Sequence, residues 1–336
     1  IQHGATILAT GGQEYRGSEY GYGSDERIVT QQQFEGYLAD PEFEAGGAKS
    51  VVMIQCVGPA ERYCSRICCT IALKNALALK RRRPEAQVVI LYKDIRTYGF
   101  KEKLYTQARD QGVLFIRYED GYKPQVDTSG RTLAIEAWDP VLGRHLTLRP
   151  GLLVLSMPVV PRSDVDQIAA LFKVAVDADG FFAEAHVKLR PVDFSTDGIF
   201  MAGMAHYPKL LDETMIQAQA AAARAARVLS LETLTAGGRV AIVDEGRCTG
   251  CLTCVRICPF GVPVMQASVS GVGDIMGAAY IEPAVCQGCG SCAAECPARA
   301  IQLTHYTDAQ LRGKVRALVQ SPAGFVPLES VAACVE

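Results

Sequence analysis

The chain has 336 residues, a formal net charge of −2, 49% hydrophobic and 21% charged residues. This is an ordinary globular composition, and the length predicts about two domains with room for a small third one. The near-neutral charge gives no electrostatic footprint for nucleic acid. No apolar run reaches the roughly 18–20 residues of a membrane span, and no signal peptide is recognisable. The unusual feature is 13 cysteines, an odd number in a chain too long for a small disulfide scaffold.

Strand and helix patterns alternate in the first third of the chain. Residues 3–12 predict a strand that ends in a glycine turn. Residues 30–40 predict a helix, in which Thr30 is the N-cap and Gln33 completes a capping box. Further strands and helices then follow in alternation, at residues 50–56, 65–81, 87–93, 100–111 and 113–118. This β-α-β-α-β order predicts a parallel sheet.

The next segments predict an antiparallel insertion and a return to the α/β pattern. Short alternating runs at residues 119–150 indicate antiparallel strands before an apolar strand at 152–156. A buried strand at 197–203 ends in glycine and precedes a long alanine-rich helix, from about Glu213 to Leu229, with Asp212 as its N-cap. Other predicted features are a linker at Ala236, Gly237 and Gly238, a last helix capped by Thr307 to Gln310, and a loosely held tail from Ser321.

Two of the three cysteine groups repeat one motif. They read C-T-G-C-L-T-C-V-R-I-C-P and C-Q-G-C-G-S-C-A-A-E-C-P, which both match the C-x2-C-x2-C-x3-C-P run of two-cluster bacterial ferredoxins. Strands are predicted before both runs, at residues 240–243 and 278–281. In such runs the first three cysteines wrap one cluster and the fourth crosses to the other. We therefore expect one 4Fe–4S cluster on Cys248, Cys251, Cys254 and Cys296, and another on Cys286, Cys289, Cys292 and Cys258.

Structural zinc sites are the alternative for these two runs, although zinc does not require a doubled motif with proline.

The remaining group of cysteines does not match a familiar motif. Cys56 ends a predicted strand, and Cys64, Cys68 and Cys69 stand at the start of the next helix, where Cys64 and Cys68 would share one face. A helix N-terminus favours thiolate charge. From spacing alone, a ligand set and four inert cysteines remain equally open. Cys334 stands apart, and we assign it no role.

Two short stretches resemble flavin-binding motifs. Residues 9–12 resemble the A-T-G turn of two-dinucleotide-domain flavoproteins of the thioredoxin reductase type. Residues 197–203 resemble the second flavin motif of that fold, with Met204 at the place of its aspartate. Either stretch alone also fits a core strand that ends in a turn. Their order and their spacing of about 190 residues strengthen the resemblance.

Together with the cysteines, these motifs make the chain closely resemble the C-terminal two thirds of the heterodisulfide reductase A-subunit family, over nearly all of residues 4–312. The residues that carry the resemblance are Cys56 to Gly58, Tyr63 to Cys69, Lys74 to Ala76, Tyr92 to Arg96, 112–117, 203–222 and the double ferredoxin run. The loop between Cys56 and Cys64 is shorter than the family leads us to expect.

The resemblance implies an α/β fold, namely a thioredoxin-reductase-like two-dinucleotide-domain flavoprotein fold with an incomplete FAD half, followed by a small α+β two-cluster ferredoxin-like domain. The implied segments are part of an FAD-binding domain (1–45), an inserted Rossmann-like domain with the first cysteine group (46–150), the return to the FAD-binding domain (151–235), the ferredoxin domain (239–306), and a C-terminal helix and tail (307–336).

The resemblance also implies cofactors. The first cysteine group would hold a third 4Fe–4S cluster, beside FAD. Lys74 would be catalytic by donating a hydrogen bond to the flavin ring, with a solvated surface lysine as the alternative. The FAD-binding residues implied are Thr10, Gly11, Gly12, Gly203, Lys209, Thr214 and Gln217. The long helix would aim its N-terminus at the pyrimidine edge of the flavin.

Missing motifs limit the cofactor predictions. After the strand at 50–55 no G-x-G-x-x-G follows, so we expect an iron–sulfur site in place of a nicotinamide site there. No such fingerprint precedes residue 9 for the FAD pyrophosphate either. We therefore expect either that the sequence is a fragment or that the missing half is a separate polypeptide, and we expect FAD binding of the assembled protein.

The predicted function is that of an FAD and iron–sulfur electron-transfer subunit of a heterodisulfide-reductase-like complex, electron-bifurcating or confurcating. Its partners would be B- and C-like or other terminal reductase subunits, ferredoxin and an electron-input subunit, with homodimerisation. We expect a cytoplasmic location in an organism that meets little oxygen. The alternatives are a non-catalytic iron–sulfur wire between subunits, and an NAD(P)H oxidoreductase of the glutamate synthase small-subunit type.

Overall fold

The computed structural model describes residues 3–40, 49–233 and 238–320. The strands are β1 (Thr6–Leu8), β2 (Gly12–Glu14), β3 (Ile28–Thr30), β4 (Ser50–Ile54), β5 (Gln87–Tyr92), β6 (Leu114–Arg117), β7 (Gln125–Asp127), β8 (Ala134–Asp139), β9 (Arg144–Leu148), β10 (Leu152–Leu155), β11 (Val159–Pro161), β12 (Ile199–Met201), β13 (Ala241–Val243), β14 (Val264–Ser270), β15 (Met276–Tyr280) and β16 (Ile301–Leu303). The helices are α1 (Gln31–Ala39), α2 (Cys68–Arg82), α3 (Glu102–Asp110), α4 (Val165–Phe172), α5 (Leu211–Leu229), α6 (Thr253–Ile257), α7 (Ser291–Ala294) and α8 (Asp308–Gln320).

A five-stranded parallel sheet forms the largest layer, in the order β3-β10-β4-β5-β6. In β4, Val51 and Met53 pack against α1 and α2, whereas Val52 and Ile54 pack against the antiparallel sheet β7-β8-β9. A strand buried on both faces requires a continuous apolar run, which β4 has. The predicted α/β class, the parallel sheet and the antiparallel insertion are confirmed.

This sheet takes its strands from three of the predicted domain segments. β3 precedes residue 46 and β10 follows residue 150. β10 nevertheless lies between β3 and β4 and pairs with both, so that Leu153 is opposite Ile28 on one side and Val52 on the other. The division of the chain into the predicted segments therefore stays a prediction, with a sheet that runs across two of its boundaries.

Two helix starts differ from the prediction. The second helix begins at Cys68 and not at residue 65, because Arg66 adopts the left-handed conformation (φ 61°) and interrupts the helical backbone. Cys64 therefore precedes the helix, and the shared helix face predicted for Cys64 and Cys68 is wrong. The long helix α5 begins at Leu211, so the predicted N-cap role of Asp212 is also wrong. Instead, the Glu213 carboxylate accepts a 2.8 Å hydrogen bond from the backbone N–H of Leu210.

A smaller pair of parallel strands lies beside α5. β1 pairs with β12, with Leu8 opposite Met201, and β2 pairs antiparallel with β11. Ala221 and Ala225 are four residues apart, so they lie on one face of α5 and pack against Phe200 and its neighbours. The predicted capping box of α1 is confirmed by the bonds between Thr30 and Gln33.

The C-terminal part is a separate small α+β unit. β13 pairs with β16 and β14 with β15, both antiparallel, and the short helices α6 and α7 follow the first two cysteines of each run. Thr307 and Gln310 form the predicted cap of α8. Cys334, the tail from Ser321 and most of the predicted linker lie outside the described residues. Among the described helices, none combines the length and the apolar character that crossing a membrane requires.

Candidate functional site

The first cysteine group lines one cavity at the carboxyl end of β4. Cys56, Cys64, Cys68 and Cys69 surround a space of about 380 Å3, far more than the about 10–15 Å3 that one water molecule needs. Cys56 lies just beyond the end of β4, and Cys68 and Cys69 are the first two residues of α2. The structure therefore brings together the four cysteines that the resemblance groups as ligands.

The loop around this cavity holds two residues in the left-handed region. Cys56 has φ 59° and Arg66 has φ 61°, a conformation that costs a non-glycine residue about 1–2 kcal/mol. Arg66 also donates its backbone N–H to the Cys64 sulfur at 3.3 Å. Backbone strain of this kind gathers at functional sites, where it orients side chains. Here it turns Cys56 and Cys64 toward the same space.

Burial disfavours thiolates in this cavity. It raises the pKa of Cys56 and Cys68, and it raises the pKa of Cys69 to about 11. Neighbouring cysteines add to the rise for Cys68, because several negative charges in one space repel each other. Ligation to a metal deprotonates a thiol outright. Free thiolates are therefore unfavourable in this cavity. The cysteines are better suited to bind a cationic partner, such as the iron of a cluster.

The spacing of the cysteines also bears on what they could bind. Within residues 3–40, 49–233 and 238–320, no three His, Cys, Asp or Glu side chains come close enough to hold a single metal ion. An iron–sulfur cluster spreads its cysteine ligands around a multi-atom core. The cavity of the first group, with sulfurs arranged around a large space, suits a ligand of that size.

In the C-terminal unit, a second and much narrower cavity collects cysteines from both runs. Cys296 lines it together with the first three cysteines of the other run, Cys248, Cys251 and Cys254. Burial raises the pKa of Cys292 to about 11, and the charges of Cys286, Cys289, Cys258 and, last, Cys254 of the other set add to this rise. The structure therefore places Cys296 beside Cys248, Cys251 and Cys254, as the crossed pattern would require, while the ligation of both clusters stays a prediction.

Backbone N–H groups approach these sulfurs in a repeated pattern. Ala279 of β15 donates to Cys248 at 3.4 Å, and Ala241 of β13 donates to Cys286 at 3.4 Å. The two pairs are related by the 38-residue offset of the motif repeat. The strand of each half therefore donates a hydrogen bond to the cysteine run of the other half. The same offset relates the bonds from Val262 to Cys258 (3.5 Å) and from Ala300 to Cys296 (3.3 Å). Such bonds stabilise negative charge on cluster sulfurs.

The two predicted flavin turns lie side by side. They follow the paired parallel strands β1 and β12, and both turns contain a glycine with positive φ, 79° at Gly11 and 73° at Gly203. A Cβ on Gly12 would lie 2.6 Å from Val159 Cγ1 and 3.7 Å from Met204 O, so the backbones of the two turns are close. The carboxyl ends of parallel strands are where α/β sheets bind ligands. Thr10 precedes these glycines in the first turn.

The three predicted contacts on α5 and before it surround Gly203. Gln217 Oε1 accepts from Gly203 N at 2.8 Å, and Lys209 Nζ donates to Gly203 O at 2.8 Å. Thr214 Cγ2 would lie 3.5 Å from a Cβ on Gly203. Lys209 is buried, and burial lowers its pKa to about 8. These side chains support the turn, and their contact with a flavin stays a prediction.

Lys74 lies apart from the cysteine cavity. Its Nζ is 2.6 Å from Glu35 Oε1, between α2 and α1, and both side chains are about half exposed. Lys74 does not line the cavity of Cys56. The structure therefore shows it as a solvated helix lysine in an ion pair, and its role at a flavin ring stays a prediction.

Sequence reasoning predicted no contact between the residues that connect the two sites. Arg66 Nη2 donates to Pro208 O at 3.1 Å, and Arg66 Nη1 lies 3.5 Å from Glu213 Oε1. The Tyr63 ring packs edge-on to Tyr207, with 5.9 Å between centroids. The position of Tyr63 and Arg66 next to cysteines in the sequence was the signal that could have identified them. The loop of the first cysteine group thus lies directly against the segment between Gly203 and α5.

Comparison with known proteins finds similar proteins for both parts of the chain. The family model described as a 4Fe-4S dicluster domain matches residues 247–300. The second iron-sulfur A subunit of the CoB–CoM heterodisulfide reductase of Methanopyrus kandleri is 37% identical over 262 residues, 72% of this chain and 39% of that protein. The A subunit of the ferredoxin:CoB-CoM heterodisulfide reductase of Methanosarcina acetivorans is 31% identical over 369 aligned residues, 96% of this chain and 45% of that protein.

Among solved structures, T. acidophilum thioredoxin reductase is similar with a TM-score of 0.43 and 14% identity, over 67% of this chain and 64% of that one. The chain spans less than half the length of the two heterodisulfide reductase relatives named above. On its sequence, the chain belongs to the heterodisulfide reductase A-subunit family.

Proposed function

We propose that this chain is an FAD and iron–sulfur electron-transfer subunit of a heterodisulfide-reductase-like complex. The observation that carries the proposal is the contact between the cysteine cavity and the expected flavin turn. Arg66, which stands between Cys64 and Cys68, reaches Pro208 O and Glu213 in the segment that follows Gly203. A cluster on the first cysteine group and a flavin at the glycine turns would therefore be neighbours.

The residues around the first cavity suit a 4Fe–4S cluster, which would supply one-electron transfer there. Cys56, Cys64, Cys68 and Cys69 would be its ligands. Basic side chains, Lys93 and Arg96, also line the cavity, and the charge of Lys93 acts against the rise that burial causes in the pKa of Cys56. Arg66 N donates to the Cys64 sulfur and holds it in place.

The residues around the glycine turns suit a flavin, which would supply exchange of one or two electrons. Gly11 and Gly203 allow close approach of the backbone. The first-turn N–H groups of α5 have no partners in the helical ladder, so the partial positive charge at this helix N-terminus would favour an anionic edge of the ring. Lys209 and Gln217 fix the Gly203 peptide from both sides.

The ferredoxin-like unit would be the electron port, and its two cluster sites differ in position. Gln287, next to Cys286, donates its side-chain N–H to Thr196 Oγ1 of the α/β part. A cleft of about 630 Å3 between the two parts is lined by Gly261 and Val262, which follow Cys258, and by Ala284 and Val285, which precede Cys286. The cluster of Cys258 and Cys286 would therefore be the inner one.

In the assembled protein we propose bifurcating or confurcating electron transfer. The proposed partners are terminal reductase subunits of the B and C type, ferredoxin and an electron-input subunit. The Methanosarcina acetivorans relative is named as a subunit of a ferredoxin:CoB-CoM heterodisulfide reductase, which supports ferredoxin as a partner. A cytoplasmic location and homodimerisation belong to the same proposal.

The test is the cofactor content of the complex, purified without oxygen. We expect FAD, no zinc and roughly twelve iron atoms per chain, for three 4Fe–4S clusters. Cys68→Ser should lower the iron to about eight per chain, whereas the same change at Cys334 should leave it unchanged. Iron near eight in the native chain would remove the first cluster from the proposal.

The two alternative functions give different results in the same preparation. A non-catalytic wire would contain the iron but no flavin absorbance. An NAD(P)H oxidoreductase would show flavin bleaching on addition of NADPH alone, which our proposal does not expect, because no glycine-rich nucleotide loop follows β4.

A further inference from the structure

Buried polar atoms without a partner gather at the cysteine cavity. In the described part of the chain, the buried side-chain atoms that lack a hydrogen bond belong to four residues, Glu14, Glu19, Gln55 and Arg66. Gln55 and Arg66 both line the cavity of the first cysteine group. Gln55 is 0% exposed, and neither its Nε2 nor its Oε1 has a partner. An unpaired buried amide costs about 1–3 kcal/mol, so its presence requires an explanation.

The backbone of Gln55 is fixed by its own bonds. Its N–H donates to Leu91 O at 2.9 Å, and its carbonyl accepts from the Tyr118 hydroxyl at 2.6 Å. Gln55 follows the last residue of β4 and immediately precedes Cys56. The main chain of Gln55 is thus held on both sides, and its carboxamide is the part that has no partner.

A second buried glutamine shows that this chain otherwise pairs such groups. Gln31 is 4% exposed, and its Nε2 donates to Ser156 Oγ at 3.2 Å while its Oε1 accepts from Asn75 at 2.9 Å. Gln31 does not line the cysteine cavity. The unpaired carboxamide is thus a property of the position of Gln55, not of buried glutamine in this fold.

We propose that Gln55 donates its side-chain N–H to a sulfur of the 4Fe–4S cluster held by Cys56, Cys64, Cys68 and Cys69, as a positioning residue that raises the reduction potential of that cluster. This inference rests on the proposed function of these four cysteines. Reduction adds negative charge to the cluster, and a hydrogen bond to its sulfurs stabilises that charge. The donor is neutral, so its effect persists at every pH at which the protein is folded.

The test uses the complex with its clusters, prepared without oxygen, and compares Gln55→Met with Gln31→Met. Methionine keeps the length of glutamine but donates no hydrogen bond. We expect Gln55→Met to retain iron and to make one-electron reduction of this cluster about tenfold less favourable, a shift of about 59 mV to more negative potential, in an EPR-monitored titration. Gln31→Met should leave the potential unchanged. The signal is assigned as the one that Cys68→Ser removes.

A second measurement covers a variant that loses the cluster or fails to fold. In the native protein, labelled with 15N only in the glutamine side-chain amide, pulsed EPR of the reduced cluster should show a nitrogen coupling. Gln31→Met should keep that coupling. Its absence in the native protein, or an unchanged potential in Gln55→Met with full iron, would overturn the role of Gln55. Absence of any signal that depends on Cys68 would instead overturn the proposed function.

Discussion

Arg66 and Glu213 form an ion pair, with 3.5 Å between Nη1 and Oε1, that joins the loop of the first cysteine group to the first turn of α5. Both side chains are about a third exposed, so solvent screens the pair and its contribution to stability is small. Its importance is geometric. The same guanidinium donates to Pro208 O, so a single side chain fixes the cysteine loop against the segment after Gly203.

The backbone of Arg66 gives the first prediction. Glycine adopts the left-handed conformation without strain, whereas a β-branched residue does not. We expect Arg66→Gly to retain the iron of the first cysteine group, and Arg66→Val to lower it by displacing Cys64 and Cys68. Iron per chain measures both. Arg62 has ordinary helical angles (φ −86°, ψ −41°), so Arg62→Val is the control that should keep the iron. Equal iron in Arg66→Gly and Arg66→Val would contradict the argument.

The close packing of the two glycine turns gives a second prediction. A Cβ on Gly12 would lie 2.6 Å from Val159 Cγ1 and 3.1 Å from Val160 O, so Gly12→Ala must move β11. We expect a loss of about 1–3 kcal/mol of stability and a lower flavin content, measured by thermal unfolding and by absorbance. In Gly36→Ala the new methyl group would meet no atom within 4 Å, on helix α1. That control should gain stability by about 0.5–1 kcal/mol. A Gly12→Ala protein as stable as the native one would refute the close approach.

The buried Lys209 gives a prediction for pH dependence. Burial, and then the charge of Arg66, lower its pKa from 10.5 to about 8. Between about pH 8 and 10.5 the unfolded chain therefore binds more protons at this site than the folded chain, and the folded state gains stability as the pH rises. The gain is at most about 3.5 kcal/mol, at about 1.4 kcal/mol for each pKa unit. Below pH 8 the full penalty of burying the charge is present.

The measurement for Lys209 is the difference in Tm between the native protein and Lys209→Met from pH 7.5 to 10.5. If Lys209→Met has the higher Tm, we expect its excess over the native Tm to diminish as the pH rises. If it has the lower Tm, we expect the difference to grow. In both cases the reason is that the native amine becomes neutral. Lys188 is exposed, so Lys188→Met should give a constant difference. A constant difference for Lys209→Met as well would show that Lys209 is not destabilised by burial.

Local patterns in the sequence were sufficient for the parallel sheet, the antiparallel insertion and the position of Cys296 beside the first three cysteines of the other run. Pairings between distant segments were not, so β3 and β10 were not recognised as strands of the same sheet as β4. The start of α2 was misplaced because the left-handed conformation of Arg66 has no signature in its residue type. Similarly, the burial of the unpaired Gln55 carboxamide, like the bonds of its backbone to Leu91 and Tyr118, depends on distant segments that come together only in the folded chain.

The contact between the ferredoxin-like unit and the α/β part gives the last prediction. Gln287 bonds to Thr196, and the motif repeat supplies its own control, because Thr249 follows Cys248 as Gln287 follows Cys286. One interface hydrogen bond is worth about 0.5–1.5 kcal/mol, so Gln287→Ala should reduce the docked population of the unit by about 2- to 10-fold. We expect a similar slowing of flavin reduction by electrons that enter through the ferredoxin-like unit, with the iron content unchanged. Thr249→Ala should not slow it, since Thr249 lines the narrow cavity of Cys248 and Cys251 and not the cleft between the two parts. Stopped-flow absorbance of the flavin separates the two results. Equal slowing by both variants would place the inner cluster elsewhere.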